Sequence, residues 1–331
     1  MQQEGSSKTV DRHSHVKRET LGRTFRVFIT IFIPIAAFTI FLIWLFLHQD
    51  RTGDLNSLLV RESSQLDASE KKIRNAFDSA MADLHILAGG LTLRTYLESS
   101  TEPNRSILGE SFLLFLANRG LYDQIRYINE DGQEEVRVNY QNGKPNIVSI
   151  DKLQNKSNRY YFSDAIILDP GSVFISPFDL NMEKGEIEKP YKPMIRMAMP
   201  VVDGKGKKRG IVILNYLGDN LLKTVRDSLD NSLGIPMLLN SESFWLLGAT
   251  RQDEWGFMFG NETNFLKRFP DQHEIMSSNA GQIVTNQGLF TFRTIYPLSQ
   301  KYFLSDGKRV LKLALSHRKH THPIAHMGRF F

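Results

Sequence analysis

The chain has 331 residues, no cysteine and a formal net charge of +5. That charge sits at the ends: residues 1–26 carry six basic and three acidic groups, residues 301–331 carry seven against one, and the stretch between them carries 28 against 32. A mildly acidic body with basic ends argues against a nucleic-acid reader, and the lack of cysteine agrees with an oxidising compartment without proving one.

The first element is Val27 to Leu47, twenty-one residues without a charge, fifteen of them Val, Ile, Leu or Phe. A run of this length matches the thickness of a bilayer, and a helix apolar on every face has no use for water. It exceeds a signal-peptide core, and His48, Gln49, Asp50 and Arg51 follow in place of a small-residue cleavage site. The reading is a membrane anchor. Lys8, Arg12, Lys17, Arg18, Arg23 and Arg26 precede it, so residues 1–26 are expected on the cytoplasmic side and the bulk of the chain is expected to be exported. No second apolar run of about twenty residues follows Leu47.

From Asp54 to about Leu97 the sequence predicts one long helix, with Leu66, Ile73, Phe77, Ala80, Leu84, Leu87 and Leu91 at steps of seven, four and three. Its distal half reads as a core helix and its proximal half as a stalk or dimer contact. After Gly120 the period changes to two. Strands are predicted at Tyr122–Asn129 and Glu135–Tyr140, joined at Asp131-Gly132, then at Ser172–Ser176, Met194–Val202 and Arg209–Tyr216. The turn at Asp203-Gly204-Lys205-Gly206 lacks the spacing of a phosphate loop. A short helix is expected over Gly218–Ser232, followed by strands at Ile235–Leu239, Phe244–Leu247, Gly281–Thr285, Leu289–Tyr296 and Val310–Ser316. Trp245, Trp255, Phe257 and Phe259 are expected in the core of this second set. The fold class is α+β: an apolar N-terminal helix, then a long helix on two antiparallel sheet modules.

Several segments carry a resemblance: Tyr122-Asp123-Gln124-Ile125-Arg126-Tyr127-Ile128, Glu135-Val136-Arg137-Val138-Asn139-Tyr140, Asn158-Arg159-Tyr160-Tyr161-Phe162, Lys192-Pro193-Met194-Ile195-Arg196 and Gly210-Ile211-Val212-Ile213-Leu214-Asn215-Tyr216. Over roughly residues 50–316 the chain resembles the double Cache, tandem PAS-like extracytoplasmic sensor domains of bacterial histidine kinases, diguanylate cyclases and chemoreceptors. The resemblance implies a stalk and core helix over 48–97, a membrane-distal ligand-binding module over 98–217, a membrane-proximal module over 218–316, a homodimer, and a basic, disordered tail over 317–331.

It also implies a ligand site at Arg159, Tyr160, Tyr161 and Phe162. An arginine fork suits a carboxylate, and tyrosines supply an apolar wall and a hydroxyl donor. The alternative pairs Arg159 with Asp164 and leaves the aromatics as core. Arg196 interrupts an apolar strand, and either a bound carboxylate or an acid from the loop 179–188 must answer it. Arg126 and Arg137 alternate with apolar residues on a hairpin that could present them to solvent. Amino-acid-binding members of the family carry an Asp where this chain has Asn215, which tilts the expectation toward a simple carboxylate.

Family members continue into a second span and an output domain, and neither signature follows here, so a truncated or frame-shifted sensor is expected. His317, His320, His322 and His326 lie in the tail, and no metal or other cofactor is assigned to them. No serine elbow, paired-carboxylate motif or metal-ligand spacing points to an enzyme. The remaining alternative is a ligand-free structural or dimerisation module.

Overall fold

The computed structural model describes residues 7–141, 143–183, 185–285, 287–297 and 310–318. The chain divides into two compact units, residues 1–58 and 59–331. Helix α1 runs over Ser7–Ala88. Within the first unit its segment Phe25–Leu45 is long and apolar enough to cross a membrane and is not buried by protein, two residues earlier than the sequence reading placed it. The Thr30 and Thr39 hydroxyls donate to the carbonyls of Arg26 (2.8 Å) and Ile35 (2.5 Å). Their polar groups are thus satisfied inside the helix, as a hydrocarbon environment demands.

In the second unit the expected long helix is broken. The α1 helix stops at Ala88, Gly89-Gly90 follow, and α2 restarts at Leu91–Glu98. Two consecutive glycines have the lowest helix propensity short of proline and mark the stop. Helix α3, Glu102–Arg119, was not expected. Its buried row Leu108, Phe112 and Leu116 is spaced four apart, but Pro103 and Gly109 make the segment read as loop. Pro103 falls in the first turn, where its missing N–H costs nothing. Gly109 gives room to Ile147, whose side chain lies 3.3 Å from where a Cβ would stand.

The strands of the first sheet are β1 (Tyr122–Asn129), β2 (Glu134–Gln141), β3 (Lys144–Ile147), β4 (Phe174–Ile175), β5 (Asp179–Leu180), and, after the small hairpin of β6 (Met182–Glu183) and β7 (Glu186–Ile187), β8 (Pro193–Val202) and β9 (Lys208–Leu217). The order is β3-β2-β1-β9-β8-β4, all antiparallel, with β5 also pairing β8. Side chains alternate between faces. Ile125, Tyr127, Val136, Val138, Val212, Leu214 and Met197 join Phe77, Leu84, Phe112 and Leu116 of the helices in one core. The opposite face carries Ile128, Ala198, Ile211 and Ile213, which pack under Tyr161, Phe162 and Ala165 of α4 (Tyr160–Ile166). Asp83, fully buried on α1, accepts from Tyr122 Oη at 2.6 Å and pairs with Arg119, fixing α1 to α3 and β1.

Helix α5 (Gly218–Leu229) leads to the second sheet, β10 (Ile235–Leu239), β11 (Trp245–Leu247), β12 (Ala280–Val284), β13 (Gly288–Ile295) and β14 (Leu311–Arg318), in the order β11-β10-β14-β13-β12. Two short helices, α6 (Phe265–Arg268) and α7 (His273–Ser277), precede β12. Strand β14 extends two residues beyond its expected end, so His317 belongs to the sheet, 3 % exposed and paired with buried Glu62 of α1. His320, His322 and His326 lie outside the described residues. Trp245 and Trp255 are buried as expected, whereas Phe259 is 47 % exposed against Tyr191.

Candidate functional site

Arg126 on β1, Asn215 on β9 and Arg196 on β8 occupy three neighbouring strands on the face beneath α4, with Arg196 directly opposite Asn215 in the register. All three are buried. Arg126 donates from Nη2 to Asn215 Oδ1 (2.8 Å) and from Nη1 to Tyr161 Oη (3.2 Å). The Asn215 amide in turn donates to Gln124 Oε1 at 3.3 Å. The ring of Tyr161 lies between the two guanidinium groups, 5.3 Å from Arg126 and 6.0 Å from Arg196, a cation–π arrangement. The structure therefore brings together Tyr161, Arg196 and Asn215, and adds Arg126. Solvent is not where Arg126 points: it is 4 % exposed.

Arg196 is answered by protein. Its Nη1 donates to Asp179 Oδ1 at 2.8 Å and its Nη2 to Asn181 Oδ1 at 3.0 Å. The acid is the first residue of the loop 179–188, one of the two partners the strand position demanded. Burial pushes the Asp179 carboxyl up from its ordinary range, and Arg196 beside it holds it down only in part. Asn181 extends the network to Glu188 (2.7 Å), and Lys192 bridges Glu188 and Asp123 at 2.8 and 3.0 Å.

Arg126 is less completely answered. Its Nε is buried without a hydrogen bond among the described residues, as are Glu134 Oε1, Arg137 Nε and Asn139 Oδ1. These four atoms lie together on β1 and β2, and buried donors and acceptors left open call for water, an ion or a ligand. Glu134, 1 % exposed, keeps Oε1 3.5 Å from Arg126 while Oε2 takes Arg137 Nη1 (2.8 Å) and the backbone N–H of Gln154 (3.0 Å).

Lys156 reaches the same corner because its loop is strapped to the β1–β2 turn. The Lys156 N–H donates to the Gly132 carbonyl at 2.6 Å, and Asn155 bridges to Gln133 and donates to the Asp131 carbonyl. Gly132 has φ +82°, and a Cβ there would meet the Ser157 backbone at 2.6 Å, so glycine is required both by the turn and by the strap. Half-buried Lys156 interacts electrostatically with Tyr161, Glu134 and Arg126, and desolvation lowers the pKa of its ammonium. Its ammonium donates to the neutral Gln154 Oε1 at 2.6 Å.

Arg159, the first of the expected ligand residues, is the exposed N-cap of α4, outside the buried cluster. Tyr160 is 43 % exposed at the rim, its ring against Tyr161 and Phe174, and Phe162 is buried in the apolar half of the face. Sequence reading gave little weight to Arg126 and none to Glu134 and Lys156, while the loop that holds Asp179 was one of two expected partners of Arg196. The one available signal was the alternation of charged with apolar residues on β1, which does not say that α4 will later cover that face.

A cavity of about 500 Å³ lies elsewhere, between the two sheets and α1, lined by Phe77, Ile175, Phe178, Ile195, Phe257 and Leu311 with Ser176, Asn240 and Glu242 among its polar groups. It carries no arginine or lysine. The cluster beneath α4 is the stronger candidate, since buried cations there require an anion and nothing in the cavity wall does.

A long helix on two PAS-like antiparallel sheets, with a polar cluster on the far face of the first, defines a Cache-like sensory module. The bacterial histidine kinase sensor domain matches residues 58–304, and the chain belongs to that family. Among solved structures it is similar to the extracellular domain assigned to histidine kinase vpHK1S-Z8, at 22 % identity over 81 % of this chain and 94 % of that one, TM-score 0.69. It is also similar to a domain assigned to a sensory box/GGDEF family protein from Vibrio parahaemolyticus, at 23 % over 80 % and 97 %, TM-score 0.67. The sensory domain of the Campylobacter jejuni chemoreceptor Tlp3 with isoleucine bound shares the fold at 10 % identity over 80 % and 95 %, TM-score 0.55. No curated protein matches the chain. The family is one of signal input, not of catalysis.

Proposed function

We propose that the chain is the input domain of a membrane-anchored bacterial receptor and that the far face of its first sheet binds a small carboxylate. The observation that carries this reading is Arg126: a guanidinium 4 % exposed, beneath the Tyr161 ring, with a buried Nε that no described residue fills. Asn215 and Tyr161 hold the fork in place, and Arg196, already paired with Asp179, shapes the other wall. Arg159 at the exposed start of α4 attracts the anion toward the site, with Tyr160 and Phe162 forming the rim and the apolar floor. Support for a ligand comes also from the fold's relatives, since the Tlp3 sensory domain was solved with isoleucine.

In this reading Phe25–Leu45 spans the inner membrane with the basic N-terminus inside, the sheet modules lie outside, first module distal and second proximal, and the protein works as a homodimer. Ligand binding draws α4 onto the first sheet, and the rigid helix–sheet core passes the movement to α1.

Thermal unfolding of the detergent-solubilised chain against small carboxylates, amino acids and amines tests the site. A ligand at a hundred times its Kd adds about 2.7 kcal/mol, which raises the midpoint by roughly 5–10 °C. The expected result is a shift with carboxylates that Arg126→Ala abolishes and Arg159→Ala only weakens. A shift insensitive to Arg126→Ala would place the ligand elsewhere, and no shift with any compound would favour a structural role.

A further inference from the structure

The geometry points to a ligand with two negative charges, one read by Arg126 and the other by Lys156 with Arg137. This inference rests on the reading of the face beneath α4 as an anion site and narrows the class of anion. Arg126 and Arg137 stand directly opposite each other across β1 and β2, and like charges so placed repel unless an anion lies between them. Glu134 is the anion supplied by the fold, and it is divided: one oxygen is committed to Arg137 and Gln154, the other stays 3.5 Å from Arg126. Lys156 brings a third cation whose nearest partner is a neutral amide. Arg126, Arg137 and half-buried Lys156 thus surround Glu134, with Asp123 the other acid that interacts with Arg126, in a corner where the Arg126 side chain is 5 % and the Arg137 side chain 13 % exposed.

Positive charge on two buried, opposed arginines is costly, and the Nε atoms of both are without a hydrogen bond, as is that of Arg209 on β9. A monocarboxylate satisfies Arg126 and leaves Lys156, bonded to a neutral amide, short of charge. A ligand with a second anionic group completes the balance. The Arg196 half of the site adds nothing to this charge, because Asp179 neutralises it. A dicarboxylate and a phosphate share the required chemistry and differ in the spacing of their charges.

The experiment is calorimetric titration of the full chain in detergent, at neutral pH and constant ionic strength, with butyrate, succinate and inorganic phosphate. Wild type, Lys156→Gln and Arg126→Ala are compared. Lys156 is a loop residue bonded through its side chain to Gln154 alone among the described residues, so its amide variant keeps the fold, which the unfolding midpoint verifies. Succinate or phosphate is expected to bind roughly tenfold more tightly than butyrate, as one further charge-assisted contact gives. Lys156→Gln is expected to erase that preference by weakening succinate and phosphate about tenfold more than butyrate. Preference for succinate identifies a dicarboxylate source and preference for phosphate a phosphoryl one.

Equal affinity for butyrate and both dianions, or a dianion preference that survives Lys156→Gln, overturns the inference. In that case butyrate binding abolished by Arg126→Ala leaves the underlying anion site standing. Absence of binding by all three anions, together with no thermal shift by any carboxylate, overturns both.

Discussion

The two sheets share a layout and differ in what their far faces hold. Each packs one face on the core that contains α1 and covers the other with short helices. Beneath α4 the first sheet places Arg126, Arg196 and Asn215 beside a small apolar floor. Beneath α6 and α7 the second sheet places aromatics: Phe265 meets Trp245, Phe269 and Phe290 at ring separations of 4.9–6.2 Å, and Phe292 completes the layer. The second face is filled by its own rings, whereas the first is filled by charges that neutralise one another only in part. One fold thus yields an aromatic core or a charged layer according to the residues at alternate strand positions, which is why similarity of fold alone does not locate a ligand.

The comparison can be broken most forcefully at Phe265. Truncation to alanine opens the aromatic layer and should cost about 3–5 kcal/mol of stability in urea unfolding, while anion affinity at the first sheet is retained in the fraction that stays folded. Loss of affinity with little loss of stability would instead mean that the second sheet carries the site. His317→Ala comes next: it leaves Glu62 buried without its partner at the seam of α1 and β14 and should cost about 3 kcal/mol.

Lys312 sharpens the contrast, since it is the cation of the second sheet's far face. It is 3 % exposed, bonded to the Ser278 carbonyl and the Thr294 hydroxyl and lying over the Phe292 ring, with no acid among its bonded partners in the described residues. Burial pushes its pKa down from 10.5 to about 8. Between those values the unfolded chain holds the proton and the folded chain has released it, so stability rises with pH across that window. Lys312→Met should flatten this rise and add about 2 kcal/mol at pH 7, measured as the unfolding free energy from pH 6 to 10. A smaller effect, about 1 kcal/mol, is expected for Tyr161→Phe, which deletes the hydroxyl bonded to Arg126 and should weaken anion binding severalfold in calorimetry. Smallest is Lys223→Ala: its pair with Asp227 is solvent-exposed on α5, and a change in unfolding free energy below about 0.5 kcal/mol is expected.

Much of this arrangement was legible in the sequence because period-two alternation is local. The strands β1, β8, β9, β10, β12 and β13 fall within a residue or two of their expected ends, and Asp131-Gly132 marked its hairpin through backbone chemistry that two residues suffice to dictate. The break after Ala88 was written in Gly89-Gly90, but the apolar spacing runs on through it to Leu91 and Leu97. The candidate site was less legible for a different reason. Arg126 and Tyr127 are neighbours on one strand, and which of them ends on the polar face depends on α4, more than thirty residues later, folding over one side of the sheet. Arg159 announced itself by its aromatic neighbours, yet its place as the N-cap of α4 turns it outward. Arg196 was the exception: an arginine between apolar neighbours on a strand requires a partner wherever the chain finds one, and Asp179 is that partner.

The position of β14 has a consequence for the order in which the molecule can be assembled. All strands of the first sheet come from residues 122–217, a contiguous stretch of chain. The second sheet is different: among the described residues its middle strand is the last in sequence, and β10 and β13 meet only through β14. A nascent chain delivered from its N-terminus can therefore complete the first sheet while the second remains two separate hairpin-like halves, with Leu238, Phe290 and Phe292 on strands that still lack a neighbour. Unpaired apolar strands of this kind are the ones that pair wrongly with other chains. Ribosomal pausing or proteolysis just ahead of residue 311 would thus be expected to yield an aggregating species in spite of an intact first sheet, because β14 is what joins the two halves of the second.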